Sequence, residues 1–352
     1  MKYSLKIGSV WGIPIELHIT FILLMAFVFA FTFPELYFFV LILFLFVFVV
    51  VHELSHSWVA RHYNIKVRKI ILYPIGGVSE IEEIPKNPRI EWRMAIAGPL
   101  ASFLIGGILL ALDQIITIET LPIPGLEATG NLLFTLGILN LLLGAFNLIP
   151  AFPMDGGRVF RALLAERMKY SDATKYAAFI GRFLGIMMAV FGIFYNIWLT
   201  IIGVFIYIGA NEEAESTIVS ATMARVRIKD VMYPEAAVAK PETTLAEALE
   251  IMFKARYHDI LVEKDGVLQG IVTWSEVMKV KPEERNQLHV EQLPVKKILI
   301  FQDESILEAY KIMTKEKVDL IPVVAREDPN KVIGVVTSES IAYAVEKAKT
   351  LR

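Results

Sequence analysis

The chain has 352 residues, 55% of them hydrophobic, and a mean hydropathy of +0.54. That is too apolar for an ordinary soluble protein and indicates an integral membrane protein with a soluble part. A net charge of −2 gives no argument for a nucleic-acid partner, and the absence of cysteine excludes disulfides, thiolate ligands and a cysteine nucleophile.

Residues 1–14 lack the charged region, short apolar stretch and small-residue cleavage site of a signal peptide, so no cleaved leader is expected. A helix needs about 20 apolar residues to cross a bilayer core. Six segments meet that requirement: 16–34, 36–60, 92–112, 130–150, 176–194 and 196–211. The fourth is cut off by Pro150 and Pro153, which a continuing helix does not readily accommodate. Arg61, Lys66, Arg68, Lys69, Lys86 and Arg89 crowd one connection, and Arg158, Arg161, Arg167, Lys169 and Lys175 another. The connections near Glu35, from Asp113 to Thr129 and at Tyr195-Asn196 contain no lysine or arginine. The positive-inside rule then predicts a multi-pass protein of the cell membrane with both termini in the cytoplasm.

Within the second span lies His52-Glu53-Leu54-Ser55-His56. A helix puts residues four apart on one face, so both imidazoles can address one metal ion with Glu53 beside it. A carboxylate and two imidazoles are costly at membrane depth, which marks the cluster as functional. On the predicted topology His52 falls in the cytoplasmic part of its span. Val67, Lys69, Ile71, Tyr73 and Ile75 then alternate with Arg68, Ile70 and Leu72 before Gly76-Gly77 breaks the run. That pattern predicts a short strand segment within 65–85. It could offer an edge on which a substrate is held extended, or be an amphipathic surface hairpin.

Span four delivers the chain to the cytoplasmic side at Asn147-Leu-Ile-Pro150-Ala-Phe-Pro153-Met-Asp155-Gly-Gly-Arg158. Two prolines and two glycines around Asp155 suggest a helix break that projects the carboxylate, at the depth of the two histidines. Two imidazoles, one carboxylate and an open water position suit one zinc ion per catalytic domain. Glu53 can then serve as general base. The Asn147 amide is the right type of donor for a tetrahedral oxyanion, with an interhelical hydrogen bond as its alternative role.

These motifs, with Pro74-Ile-Gly76-Gly77-Val78 and Ala97-Gly98-Pro99, resemble in order and spacing the site-2 protease family of intramembrane zinc metalloproteases, over residues 1 to about 212. The family commonly has Leu before Asp-Gly where this chain has Met154, a swap of similar size. The resemblance implies zinc held by His52, His56 and Asp155, Glu53 as general base, Asn147 near the substrate carbonyl, and a sheet or re-entrant segment where the strand is predicted. Arg182, in span five, sits near enough to the cytoplasmic end to snorkel and receives no catalytic role. Gly-x-Ser-Gly and Gly-x-Gly-Asp motifs of rhomboid-like and presenilin-like chemistry are absent.

After an acidic segment, Asn211-Glu-Glu-Ala-Glu215, the chain repeats itself: Gly270-Ile-Val-Thr273-Trp-Ser-Glu276 matches Gly334-Val-Val-Thr337-Ser-Glu-Ser340. Each repeat reads helix, strand, strand, helix, beginning with Leu245–Ala255, and Asp265-Gly266 signals a hairpin. The repeats resemble a tandem pair of cystathionine-beta-synthase (CBS) domains. The expected fold is thus a six-helix membrane domain over 1–212, a linker at 213–224, and an α/β CBS pair over 225–350, divided at about 225–285 and 290–350. The CBS resemblance implies an adenosine nucleotide at Thr273 and Thr337, although Glu276 and Ser340 replace the family's ribose-binding Asp. A structural pair that joins two copies into a homodimer is the competing role.

The expected activity is an endopeptidase that hydrolyses bonds in or near transmembrane segments of membrane proteins, in the lipid bilayer. The alternative is a CBS-regulated cation transporter or channel, in which the His/Glu/Asp cluster binds the transported ion. Glu53 separates them, because water activation requires a carboxylate beside the first histidine and transport does not. An inactive membrane chaperone is disfavoured by the presence of every ligand and the base.

Overall fold

The computed structural model describes residues 4–33, 37–81, 87–115, 132–329 and 331–350. Glu35, Lys86, residues 116–131 and with them the start of the fourth expected span lie outside the described residues. The chain divides into two units, Met1–Glu215 and Ser216–Arg352.

The first unit opens with a hairpin that replaces the start of the first expected span. Strands β1 (Ser4–Val10) and β2 (Ile13–His18) pair antiparallel. Between them Trp11 and Gly12 have φ of 51° and 80°, the left-handed pair that a two-residue hairpin turn demands. Residues 16–18 are therefore strand, and helix α1 runs only over Ile19–Thr32, its first turn closed by His18 accepting from the Thr20 N–H. The strand wins locally because Ile15 and Leu17 lie in parallel register with Ile70 and Leu72 of β3 (Val67–Tyr73). Strand β4 (Gly76–Ile81) pairs antiparallel with β3 and completes a four-stranded sheet of order β1-β2-β3-β4. Ile13, Val67 and Ile70 pack beneath it on Ala60 of helix α2 (Tyr37–His62) and Met94 of α3 (Pro88–Ile115).

Helix α4 (Leu132–Asn147) follows, then a short α5 (Asp155–Ala165), then α6 (Tyr170–Tyr195) and α7 (Ile197–Met223). Among the described residues, α2, α3, α6 and α7 are long and apolar enough to cross a membrane, while α1 and α4 are shorter apolar helices of 14 and 16 residues. Backbones approach closely through small residues: a Cβ on Gly185 of α6 would lie 2.7 Å from the Gly203 carbonyl oxygen of α7. The acidic segment after Ala210 contains no helix breaker, so α7 continues unbroken through it. Arg182 reaches Asn211 through a hydrogen bond of 3.4 Å.

The second unit holds two three-stranded sheets, β5-β6-β7 and β10-β9-β8. The first comprises β5 (Val238–Ala239), β6 (Asp259–Lys264) and β7 (Val267–Thr273), with helices α8 (Leu245–Ala255) and α9 (Trp274–Met278). The second repeats this as β8 (Ile300–Phe301), α10 (Ile306–Glu316), β9 (Leu320–Val324), β10 (Val332–Thr337) and α11 (Ser338–Thr350). Thr244 and Ser305 cap α8 and α10 at equivalent places. Leu261, Ile271, Leu320 and Val335 join the sheets through one apolar layer. The flanking segments are exchanged: Ile228 packs in the core of the second repeat, and Val290 in that of the first.

Candidate active site

Helix α2 carries His52 and His56 one turn apart, with ring centroids 4.8 Å from each other and both residues buried. Asp155 arrives from the opposite side as the first residue of α5. Ala151 and Phe152, both 0% exposed, anchor the preceding loop: Ala151 packs with Met154 on Ile206, and Phe152 on Ala177, Ala178 and Ala210. The carboxylate also sits where a helix N-terminus favours negative charge. Asp155 Oδ2 lies 3.2 Å from His52 Nε2 and 3.1 Å from His56 Nε2.

This arrangement fits a tetrahedral metal ion. Ligand bonds of about 2.0–2.1 Å at tetrahedral angles put donors about 3.3 Å apart, close to both separations found. His56 Nδ1 is 2.7 Å from the Met94 carbonyl oxygen, which can only accept, so Nδ1 carries the proton and Nε2 offers its lone pair. His52 Nδ1 is 2.9 Å from Ser102 Oγ, a hydroxyl able to take the same proton. Space is left for an ion because α3 has a glycine opposite the imidazoles: a Cβ at Gly98 would fall 2.4 Å from His52 Nε2 and 2.3 Å from His56 Nε2. Two imidazoles and a carboxylate are a donor set that could hold a catalytic zinc ion with an open position.

A cavity of about 410 Å³ opens on this cluster, lined among others by Glu53, Gly77, Ser79, Phe146, Asn147, Asp155 and Arg158. Glu53 accepts a 2.7 Å hydrogen bond from Ser79 Oγ of β4. Asn147, the last residue of α4, donates from Nδ2 to Leu143 in its own helix at 3.0 Å rather than across helices, while still facing the cavity. Behind Asp155, Arg161 of α5 forms a buried network. It bonds Glu91 of α3 at 2.5 and 2.7 Å and Glu213 of α7 at 2.8 Å, and stacks on Phe152 and Tyr170. Sequence reading missed Ser79, Ser102 and the Arg161 network. Each is a single polar residue whose partner lies between 26 and 70 positions away, so no spacing announces it.

In the second unit Thr273 and Thr337 are both buried and both hold a turn. Thr273 Oγ1 accepts from the Glu276 N–H at 3.4 Å, and Thr337 Oγ1 from the Ser340 N–H at 3.0 Å. Ser340 Oγ bonds back to Thr337 at 3.0 Å. A 220 Å³ cavity is lined by Arg256, His258, Asp319 and Thr337, and a 410 Å³ cavity by Asp230, Tyr233, Ser340 and Lys347.

Comparison with known proteins places the chain in a family. Residues 40–117 and 115–188 match Peptidase family M50, and 228–283 and 290–347 match the CBS domain. A protein of Methanocaldococcus jannaschii named Zinc metalloprotease MJ0392 is 38% identical over 348 residues, 98% of this chain and 97% of that one. Rip3 of Mycobacterium tuberculosis is 29% identical over 254 residues, 68% of this chain and 63% of its own. The solved structure of the site-2 protease from Methanocaldococcus jannaschii aligns with 60% of this chain and 95% of its own at 46% identity, with a TM-score of 0.47. The chain therefore belongs to Peptidase family M50, the site-2 protease family, and carries a tandem pair of CBS domains behind its apolar helices.

Proposed function

We propose that this protein is an intramembrane zinc endopeptidase that hydrolyses peptide bonds in or near transmembrane segments of membrane proteins. The observation that carries this reading is the convergence of His52, His56 and Asp155 within one cavity that also holds Glu53. The end-to-end likeness to a protein named as a zinc metalloprotease supports it. Zinc held by those three residues would supply Lewis-acid polarisation of a water molecule and of the scissile carbonyl. Glu53 takes the proton of the attacking water and returns it to the leaving nitrogen. Asn147 spends one N–H of its amide on Leu143 and keeps the second for the developing oxyanion.

A helical substrate hides the amide to be cut, so the substrate must be extended first. Among the described residues β4 pairs with no strand but β3, and the cavity runs along it from Gly76 to Ser79. Substrate backbone added to that outer edge would lie extended across the site. Six spans with both termini cytoplasmic, as the lysine and arginine distribution suggests, put this cavity toward the cytoplasmic face. The test is cleavage by the purified protein of a panel of transmembrane reporter substrates, with and without a zinc chelator. Chelator-sensitive cleavage supports the reading; cation flux without any cleavage refutes it.

For the tail we propose control of the protease by an adenosine nucleotide, with pairing of two copies as the outcome if no nucleotide binds. Such control requires unequal affinity for two conformations, since equally tight binding to both shifts nothing. Calorimetry with adenosine nucleotides on wild type and on Thr273→Val with Thr337→Val tests it. No heat from the wild type at about millimolar ligand, weaker than about −4 kcal/mol of binding, removes the nucleotide.

A further inference from the structure

The Gly-Gly-Val-Ser run of β4 reaches the catalytic carboxylate twice. A Cβ on Gly77 would lie 2.6 Å from Glu53 Cγ and 3.3 Å from Val49 Cγ1, so the strand lies against the Glu53 stem only because residue 77 lacks a side chain. Two positions on, and hence on the same side of the strand, Ser79 Oγ donates to Glu53 Oε2 at 2.7 Å. The ladder fixes Ser79, which pairs in register with the fully buried Ile70.

We propose that Ser79 is a positioning residue for proton transfer, and that β4 sets both the substrate and the base. The proposal rests on the reading of Glu53 as general base. A glutamate side chain has three rotatable bonds, and Arg158, lining the same cavity, is a cation able to draw the carboxylate aside. Gly77 confines the stem and Ser79 holds Oε2, which leaves Oε1 to meet the proton. Proton transfer needs heavy-atom approach within about 2.6–3.2 Å, so a base left to swing is out of range much of the time. Substrate paired on the outer edge of β4 would then meet a base held from the same strand, with the register of one fixing the reach of the other.

The experiment compares full-length wild type, Ser79→Ala and Ser79→Thr on the best-cleaved transmembrane reporter, with zinc per chain measured in parallel. Ser79→Ala is expected to lower kcat about tenfold with KM within about twofold and zinc unchanged, since misplacing a reacting group by about an ångström is felt in the chemical step. Ser79→Thr keeps the hydroxyl and a strand-favouring shape, and is expected to restore kcat. A Ser79→Ala enzyme with wild-type kcat overturns the proposal. So does a loss that Ser79→Thr shares, or one accompanied by loss of zinc or fold, because the residue would then be structural. Absence of cleavage by the wild type removes the protease reading itself and this assignment with it. That outcome is distinct from an active wild type beside an equally active Ser79→Ala.

Discussion

Gly98 and His56 approach so closely that a methyl group on the first would sit 2.3 Å from Nε2 of the second, inside the space a metal ion needs. Two effects compete in Gly98→Ala. Alanine raises helix propensity by about 0.8–1.0 kcal/mol, which favours α3. The methyl overlaps the far ends of both imidazoles, which can swing aside into the adjoining cavity but then no longer point at a common centre. The expected outcome is a folded, thermally stable protein without zinc. Metal analysis decides it, and one zinc per Gly98→Ala chain would show that the ion lies elsewhere.

His52 and His56 are held unequally. The Met94 carbonyl forces a proton onto His56 Nδ1, whereas Ser102 can either donate to or accept from His52 Nδ1. Removing the hydroxyl in Ser102→Ala leaves the His52 ring without its only second-nitrogen partner among the described residues. Losing such a partner typically weakens metal binding about 10–100-fold. Competition with a chelator of known affinity measures this directly, and unchanged affinity would show that packing alone orients the ring.

Glu53→Gln should keep zinc and fold but lose cleavage by at least about 10²-fold, because the amide preserves shape and cannot accept the proton. It can still accept the hydrogen bond of Ser79 through its carbonyl oxygen. Near wild-type turnover would take Glu53 out of the mechanism.

Arg161 is 2% exposed, and so is its partner Glu91. A buried pair is a weak net stabiliser, yet breaking it strands a charge at a cost of about 3–5 kcal/mol. Arg161→Met should therefore destabilise the first unit sharply. Arg161→Met combined with Glu91→Gln should recover much of that loss, since neither charge of the buried pair remains and Glu213, the other partner, is 28% exposed and reaches water. Unfolding temperatures of the two proteins give the comparison, and an equal loss in both would mean that the guanidinium packing on Phe152 and Tyr170 matters more than charge.

What could be read in advance follows from how local each signal is. His52 and His56 are four apart on one helix, and Asp155 is announced by prolines and glycines beside it, so their meeting was legible. The repeat in the tail was legible for the same reason: two copies of one pattern confirm each other. The hairpin at 4–18 was not, because Ile13, Ile15 and Leu17 run directly into the apolar α1 and hydropathy shows no boundary. Trp11-Gly12 was its one local mark. The exchange of Ile228 and Val290 between the repeats leaves no trace in the repeat period, since each copy looks complete by itself. Ser79 and Ser102 gain meaning only from partners on other elements.

The hairpin also provides the pH prediction. Glu16 of β2 accepts hydrogen bonds from Lys69 Nζ at 2.8 Å and from Ser4 Oγ at 2.5 Å, tying β1 and β3 to the strand between them. The Lys69 bond first, then that of Ser4, hold the Glu16 carboxyl below its ordinary value of 4.5. Lys69 is raised by the same contact, so the two shifts agree in sign. A carboxyl depressed in the folded state contributes stability that is present above its ordinary value and is lost as pH falls through the depressed one. The β1–β2 hairpin should thus stay docked at neutral pH and loosen in acid, below about 4.5. The chain has no cysteine, so a spin label on Ser9→Cys, at an exposed position of β1, reports this strand alone. The label should gain mobility as pH falls through that window, and in Glu16→Gln it should be mobile at pH 7 already. A label equally immobile in Glu16→Gln and wild type at pH 7 would assign the docking of the hairpin to Ile13 and Ile15 in the core instead.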